Sequence, residues 1–219
     1  MKVWSTLRAL VTSLLVRTGS RQPKTFVRWL CLRAFVYLSL IQSRRLCRLS
    51  LDQLSQAVEL GVFLNRCFDG KREFCGQRYR GLRRGLPEAA ARQYLRELRS
   101  LETQRAHGSD WYYVYLYRRG VLRVSLDFLF SIVGVSSRPS LLEVCSMIQL
   151  VDDVLDQKLD RRLSLPTFLF EGGPEPAALA RKFWSELREK SQFEDLPFLL
   201  GGGVCYLFTR AVILCYRTA

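Results

Sequence analysis

The sequence predicts an all-α protein, a single helical bundle of roughly seven to nine helices, and three observations carry that reading. Apolar residues recur at helical spacing along most of the chain. Helix-starting and helix-stopping residues punctuate it. No period-2 stretch flanked by turn dipeptides reads as a strand. A chain of 219 residues with 48% apolar side chains can bury one sizeable core, and 25% charged residues argue against disorder.

The elements follow in order. Ser50 and Gln53 have the spacing of a capping box, opening a periodic segment that runs to Asp69 and stops at Gly70. Pro87 stands where a first helical residue belongs, before an Ala-, Arg-, Glu- and Leu-rich stretch to about Gln104. Ser109 or Asp110 can cap the next helix, to Val133, which Gly134 ends. Ser140 and Glu143, directly after Pro139, read as a second capping box launching an aspartate-bearing helix. Residues 174–190 form another helix and Pro197 starts the last. No internal repeat or low-complexity linker divides the chain, so residues 1–219 are expected to form one domain, with residues 1–48 a basic amphipathic N-terminal segment.

Charge is unevenly placed. The net charge is +14, and the first fifty residues carry ten of the 34 Lys and Arg and none of the 20 Asp and Glu. Val3, Trp4, Leu7, Leu10, Val11, Leu14 and Leu15 make an apolar stripe there at helical spacing. A tryptophan-bearing stripe flanked by cations suits a bilayer interface better than a nucleic-acid arm; a transit peptide and a core helix with a solvated basic face are the alternatives. Arg28 and Arg33 interrupt the apolar run at 25–41, and Gly201–Gly203 and Arg210 interrupt the C-terminal one. Peripheral contact with a membrane from the cytoplasmic side is therefore expected, without a span.

Seven scattered cysteines without a CxxC pair read as reduced, buried thiols, not a disulfide frame or zinc site. With His107 the only histidine, chemistry built on a histidine base or triad is improbable.

The stretch MIQLVDDVLDQKLD, residues 147–160, sets Asp152, Asp153, Asp156 and Asp160 among apolar neighbours. On a helix these four and Gln149 share an arc of about 100°, one polar stripe. Stacked like charges repel, so a cation is expected among them. A solvent-facing stripe neutralised by arginines is the plain reading; apolar residues on both sides favour a stripe bordering the bundle interior. Oxygen ligands at this spacing suit Mg²⁺ shared with a substrate's phosphates.

The same residues carry a family resemblance. QLVDDVLD, residues 149–156, has the QxxDDxxD form of class I isoprenoid synthases that elongate trans-prenyl diphosphates. QLVDDVLDQKLDRRLSLP, residues 149–166, is similar to the second aspartate motif of squalene and phytoene synthases. The resemblance implies a terpenoid-synthase-type bundle. It also implies Mg²⁺ at Asp152, Asp156 and Asp160, with Asp153 beside them, and Gln149, Arg161 and Arg162 at the substrate.

Such enzymes carry a first acidic motif on a facing helix. Its best counterpart is FLNRCFDGKRE, residues 63–73, where Asn65 and Asp69 share a face and Asn65 stands in place of an acid. The alternative is a helix C-terminal cap before Gly70. Lys71, Arg72 and the arginines to Arg84 could grip phosphate, form a solvated loop, or touch anionic lipid. Tyr113 and Tyr117 share a face and would line a hydrocarbon tunnel, or simply fill the core. Arg123–Asp127 has the spacing of an ordinary i, i+4 pair.

These residues point to a Mg²⁺-dependent enzyme that ionises an allylic prenyl diphosphate at an anionic membrane surface, binding no nucleic acid and with a homo-oligomer left open. A chain-elongating synthase, a terpene cyclase, and a non-catalytic membrane-associated binding or assembly protein are the alternatives.

Overall fold

The structure, a computed structural model, describes residues 48–70, 72–105, 110–134, 139–169, 172–191 and 196–217. Its elements are α1 (Arg48–Phe68), α2 (Gly76–Arg83), α3 (Glu88–Arg105), α4 (Trp111–Val133), α5 (Pro139–Arg162), α6 (Pro176–Lys190) and α7 (Leu196–Arg217). No strand occurs among the described residues, so the protein is all-α as its sequence pattern predicts. The expected N-terminal amphipathic helix, the apolar run at 25–41 and Lys71 lie outside the described residues. No described helix is long and apolar enough to cross a membrane.

The chain divides into two compact units. One takes the residues up to Ala91 with Phe128–Ser136, and the other takes Arg92–Asp127 with Ser137–Ala219.

In the first unit α1 buries Leu54, Ala57, Leu60, Phe63 and Leu64, the one-sided apolar pattern of a core helix. It ends as expected at Gly70, which takes the left-handed φ of +65° that glycine tolerates. Its start differs. The helix is already running at Arg48, so Ser50 lies inside it and is no cap. Gln53 Nε2 donates instead to the Gly85 carbonyl at 2.9 Å. Gln56 Nε2 donates to the Gly81 and Arg84 carbonyls. Two glutamines one turn apart thus bond carbonyls at the end of α2, sharing that of Gly81 with the Arg84 N–H. The sequence does not announce α2: it is short, rich in arginine and glycine, and buries no residue of its own. Distant side chains hold it, not its own pattern.

In the second unit α5, α6 and α7 pack on one another. Asp110 caps α4, its Oδ1 accepting the Tyr113 N–H at 2.8 Å, which decides between the two candidate caps. The second capping box does not form. Ser140 Oγ is buried without a hydrogen-bond partner, and the Glu143 carboxylate is drawn away to α4 and α6. Pro176, two residues beyond Pro174, takes the first turn of α6. Among the described cysteines only Cys145 is buried. Cys75, at the start of α2, and Cys215, on α7, are exposed.

Close approaches explain particular glycines. A Cβ on Gly202 of α7 would come within 2.1 Å of Leu187 on α6, and one on Gly120 within 3.0 Å of Leu101 on α3. Gly173 is the tightest, because its Cβ would fall 2.0 Å from Cδ1 of the Trp111 indole. That ring is itself tethered, its N–H donating to the Phe168 carbonyl. Gly173→Ala should therefore displace the indole and cost about 1–3 kcal/mol. A lowered urea midpoint with unchanged slope would register it; an unshifted midpoint would show that the indole has room to move.

Candidate functional site

The four aspartates of α5 do not share one environment. Asp153 faces inward with 1% of its surface exposed, and protein donors occupy both oxygens. Oδ1 accepts from Arg118 Nη2 at 2.9 Å and from Gln149 Nε2 at 2.8 Å, while Oδ2 accepts the Phe168 N–H at 2.7 Å. Burial pushes this carboxyl above the usual carboxylate range, against the opposing pull of Arg118, the Phe168 N–H and Gln149. The expected metal role for Asp153 meets a carboxylate already engaged, one that ties α4 and the segment after α5 to α5 itself. Gln149, expected at the substrate, is likewise buried and occupied: its amide also reaches Asp152 Oδ2 at 3.3 Å.

Asp152 and Asp156 are half-buried and stand one turn apart. Asp160 is buried, and its carbonyl accepts the Leu165 N–H at 2.9 Å where the chain leaves the helix. Arg161 and Arg162 are exposed in the last turn of α5, where cations complement the helix dipole. Among the described residues no three His, Cys, Asp or Glu side chains form a group able to hold a metal ion by themselves.

Tyr113 and Tyr117 turn toward α3. The Tyr113 hydroxyl donates to the Gln104 carbonyl at 2.6 Å and the Tyr117 hydroxyl to the Glu102 carboxylate. Tyr117 is buried in that contact, as the core alternative has it.

Asn65 and Asp69 belong to the other unit. The Asn65 amide donates to Asp69 Oδ2 at 3.1 Å, and the Asp69 N–H donates to the Asn65 carbonyl at 2.9 Å. The pair closes the last turn of α1, the arrangement expected of a C-terminal cap. Beyond it Arg72 and Arg78 lie over the Phe63 ring at 5.7 and 5.8 Å, and Arg83 over Tyr79. Arg72 and Arg78 are exposed, while Arg83 also pairs with Glu88 at 3.6 Å.

The residues missed by sequence reasoning form a second polar cluster around one buried carboxylate, nearer the start of α5. Glu143, fully buried, accepts from Arg119 through both oxygens at 2.6 and 2.7 Å, and Lys190 Nζ joins at 2.6 Å. Glu186 completes the network, 3.4 Å from Arg119 and 3.1 Å from Lys190. Burial opposes the Glu143 charge, but the Arg119 fork and the Lys190 ammonium prevail and hold its carboxyl below the usual range. Beneath the network Tyr115 and Phe183 stack at 6.2 Å with Phe168 against them, and Lys182 Nζ stands 4.4 Å over Tyr115. One signal was present in the sequence: Glu143 sits between Leu141, Leu142, Val144 and Cys145, where an acid requires a buried cation. The adjacent Arg118 and Arg119 thus clamp α5 at carboxylates ten residues apart, about 15 Å along the helix. No known protein family, curated protein or solved structure matches the chain.

Proposed function

We propose that the protein ionises an allylic prenyl diphosphate with Mg²⁺, in the manner of the squalene and phytoene synthases that its α5 motif resembles. The observation that carries the reading is the partition of the aspartates. Asp153 is turned inward and locked, which leaves Asp152 and Asp156 half-exposed on the same stripe, with Arg161 and Arg162 exposed at its end.

The donor chemistry fits a hard cation. Asp152 and Asp156 would hold the ion, with Asp160 below them, and Mg²⁺ needs only one or two carboxylates when water and phosphate oxygens complete its shell. When bound, the ion supplies charge neutralisation for the departing diphosphate. Arg161 and Arg162 would bind the phosphate oxygens as bidentate forks. Asp153, Arg118 and Gln149 would keep the stripe in register. Ionisation of an allylic diphosphate needs no protein nucleophile, which suits a chain with a single histidine.

A second reading is favoured by one observation: the Asn65 amide is spent on Asp69, which suits a descendant that binds a prenyl diphosphate without turning it over. Pyrophosphate release from farnesyl and geranylgeranyl diphosphate, with and without Mg²⁺, separates the two. Mg²⁺-dependent release is expected, and Asp156→Asn should reduce it about 100-fold or more while melting stays nearly unchanged. Absence of release from both substrates, with retained binding, would favour the non-catalytic reading. Wild-type turnover in the variant would remove Asp156 from the mechanism.

A further inference from the structure

Helix α7 is amphipathic in an inverted sense. Gly202, Thr209 and Ile213 are buried, and Gly202 lies against Leu187 of α6 and Val144 of α5. At about 100° per residue the opposite side of the helix carries Leu196, Leu200, Val204, Leu207, Phe208 and Leu214 within an arc of about 120°. These six side chains are 47–68% exposed. No polar residue interrupts their arc, so water faces a continuous apolar strip about 28 Å long. Contiguous exposed apolar surface of this kind marks an interaction site.

Charge indicates the occupant. From Leu196 to Arg217 the helix has no Asp or Glu, and its only charged residues are Arg210 and Arg217; Arg210 falls on one flank of the strip. Arg210 is positioned there, donating to the Tyr206 hydroxyl at 3.1 Å, and Tyr206 stacks on Trp184 at 5.6 Å. An apolar face edged by arginine, tyrosine and tryptophan matches the layering of a bilayer interface, with acyl chains below and headgroup phosphates beside. A second copy of the chain fits less well. One helix face of this length offers a few hundred Å², short of the roughly 800 Å² per partner that a stable dimer buries.

We propose that the exposed face of α7 docks on an anionic lipid bilayer, with the helix lying flat in the interface. This inference stands apart from the diphosphate chemistry, and the first fifty residues remain intact throughout its test. Full-length protein is sedimented with phosphatidylcholine vesicles, with and without phosphatidylglycerol, at low and high salt. Wild type should bind the anionic vesicles more tightly and retain part of its binding at high salt, because the apolar part is not screened. The triple variant Leu200→Ser, Leu207→Ser, Phe208→Ser should lose roughly ten- to a hundred-fold in high-salt partitioning. Leu200→Lys is the second variant: it adds a cation yet breaks the strip, so it should weaken high-salt binding while sparing low-salt binding. Unaltered binding by both variants, or no wild-type binding at low salt, overturns the proposal. So does a lipid-free wild-type dimer that the triple variant converts to monomer, since the face would then serve self-association.

Discussion

Glu143→Ala should destabilise the protein by about 3–5 kcal/mol, because it takes the bidentate counter-charge from the largely buried guanidinium of Arg119 and leaves it only the looser contact with Glu186 at 3.4 Å. That is a large share of the stability of a domain this size. The carboxylate joins α4, α5 and α6 through Arg119 and Lys190, so the loss falls on the packing of three helices at once. Arg119→Met together with Glu143→Leu should recover much of the loss, since replacing both charges by apolar groups of similar volume leaves nothing uncompensated. A double-mutant cycle in urea measures the coupling, and additive single effects would rule out a direct Arg119–Glu143 interaction.

The same carboxylate gives a pH dependence with a definite sign. Its folded pKa is depressed, so the unfolded chain takes up a proton that the folded one resists. The contribution is therefore fully present above the ordinary glutamate value of 4.5 and is lost as pH falls through the folded value. As pH falls below about 4.5, the wild type should lose more stability than Glu143→Gln, while the two stay parallel between neutral pH and that value. Profiles that stay parallel below it as well would remove Glu143 as the source.

Glu143 also shows where the sequence misleads. Ser140 and Glu143 satisfy the spacing of a capping box, and a local rule can only assign local partners. The actual partners lie 24 and 47 residues away, and charge-assisted bonds in a buried site outweigh an end cap. The same holds for Ser50 and Gln53, where Gln53 crosses to Gly85. Features governed by backbone conformation were legible: Gly70 and Gly134 both take positive φ where helices end, and Asp110 caps α4. The α5 stripe was legible as a pattern, but periodicity could not rank its members. Asp152 and Asp153 are adjacent in sequence, and only the position of Arg118 and the Phe168 N–H decides which one turns inward.

That difference yields a contrast between neighbours. Asp153→Ala should cost about 3–5 kcal/mol, leaving Arg118 largely buried and the Phe168 N–H without its acceptor. Asp153→Asn should cost about 1–3 kcal/mol: the shape is kept, but one of the two accepting oxygens becomes an NH₂ group facing donors. Asp156→Asn, on a half-exposed side chain, should leave unfolding nearly unchanged. If the stripe binds a diphosphate through Mg²⁺, turnover and stability then separate along four residues of one helix. Asp156→Asn loses turnover and keeps its fold. Asp153→Asn, assayed well below its melting temperature, keeps the carboxylates that face the substrate and should retain most of its turnover, with a raised KM for Mg²⁺ as the stripe loosens. Full loss of turnover in folded Asp153→Asn, with Asp156→Asn active, would reverse the two roles and place the reactive face on the inward side of α5.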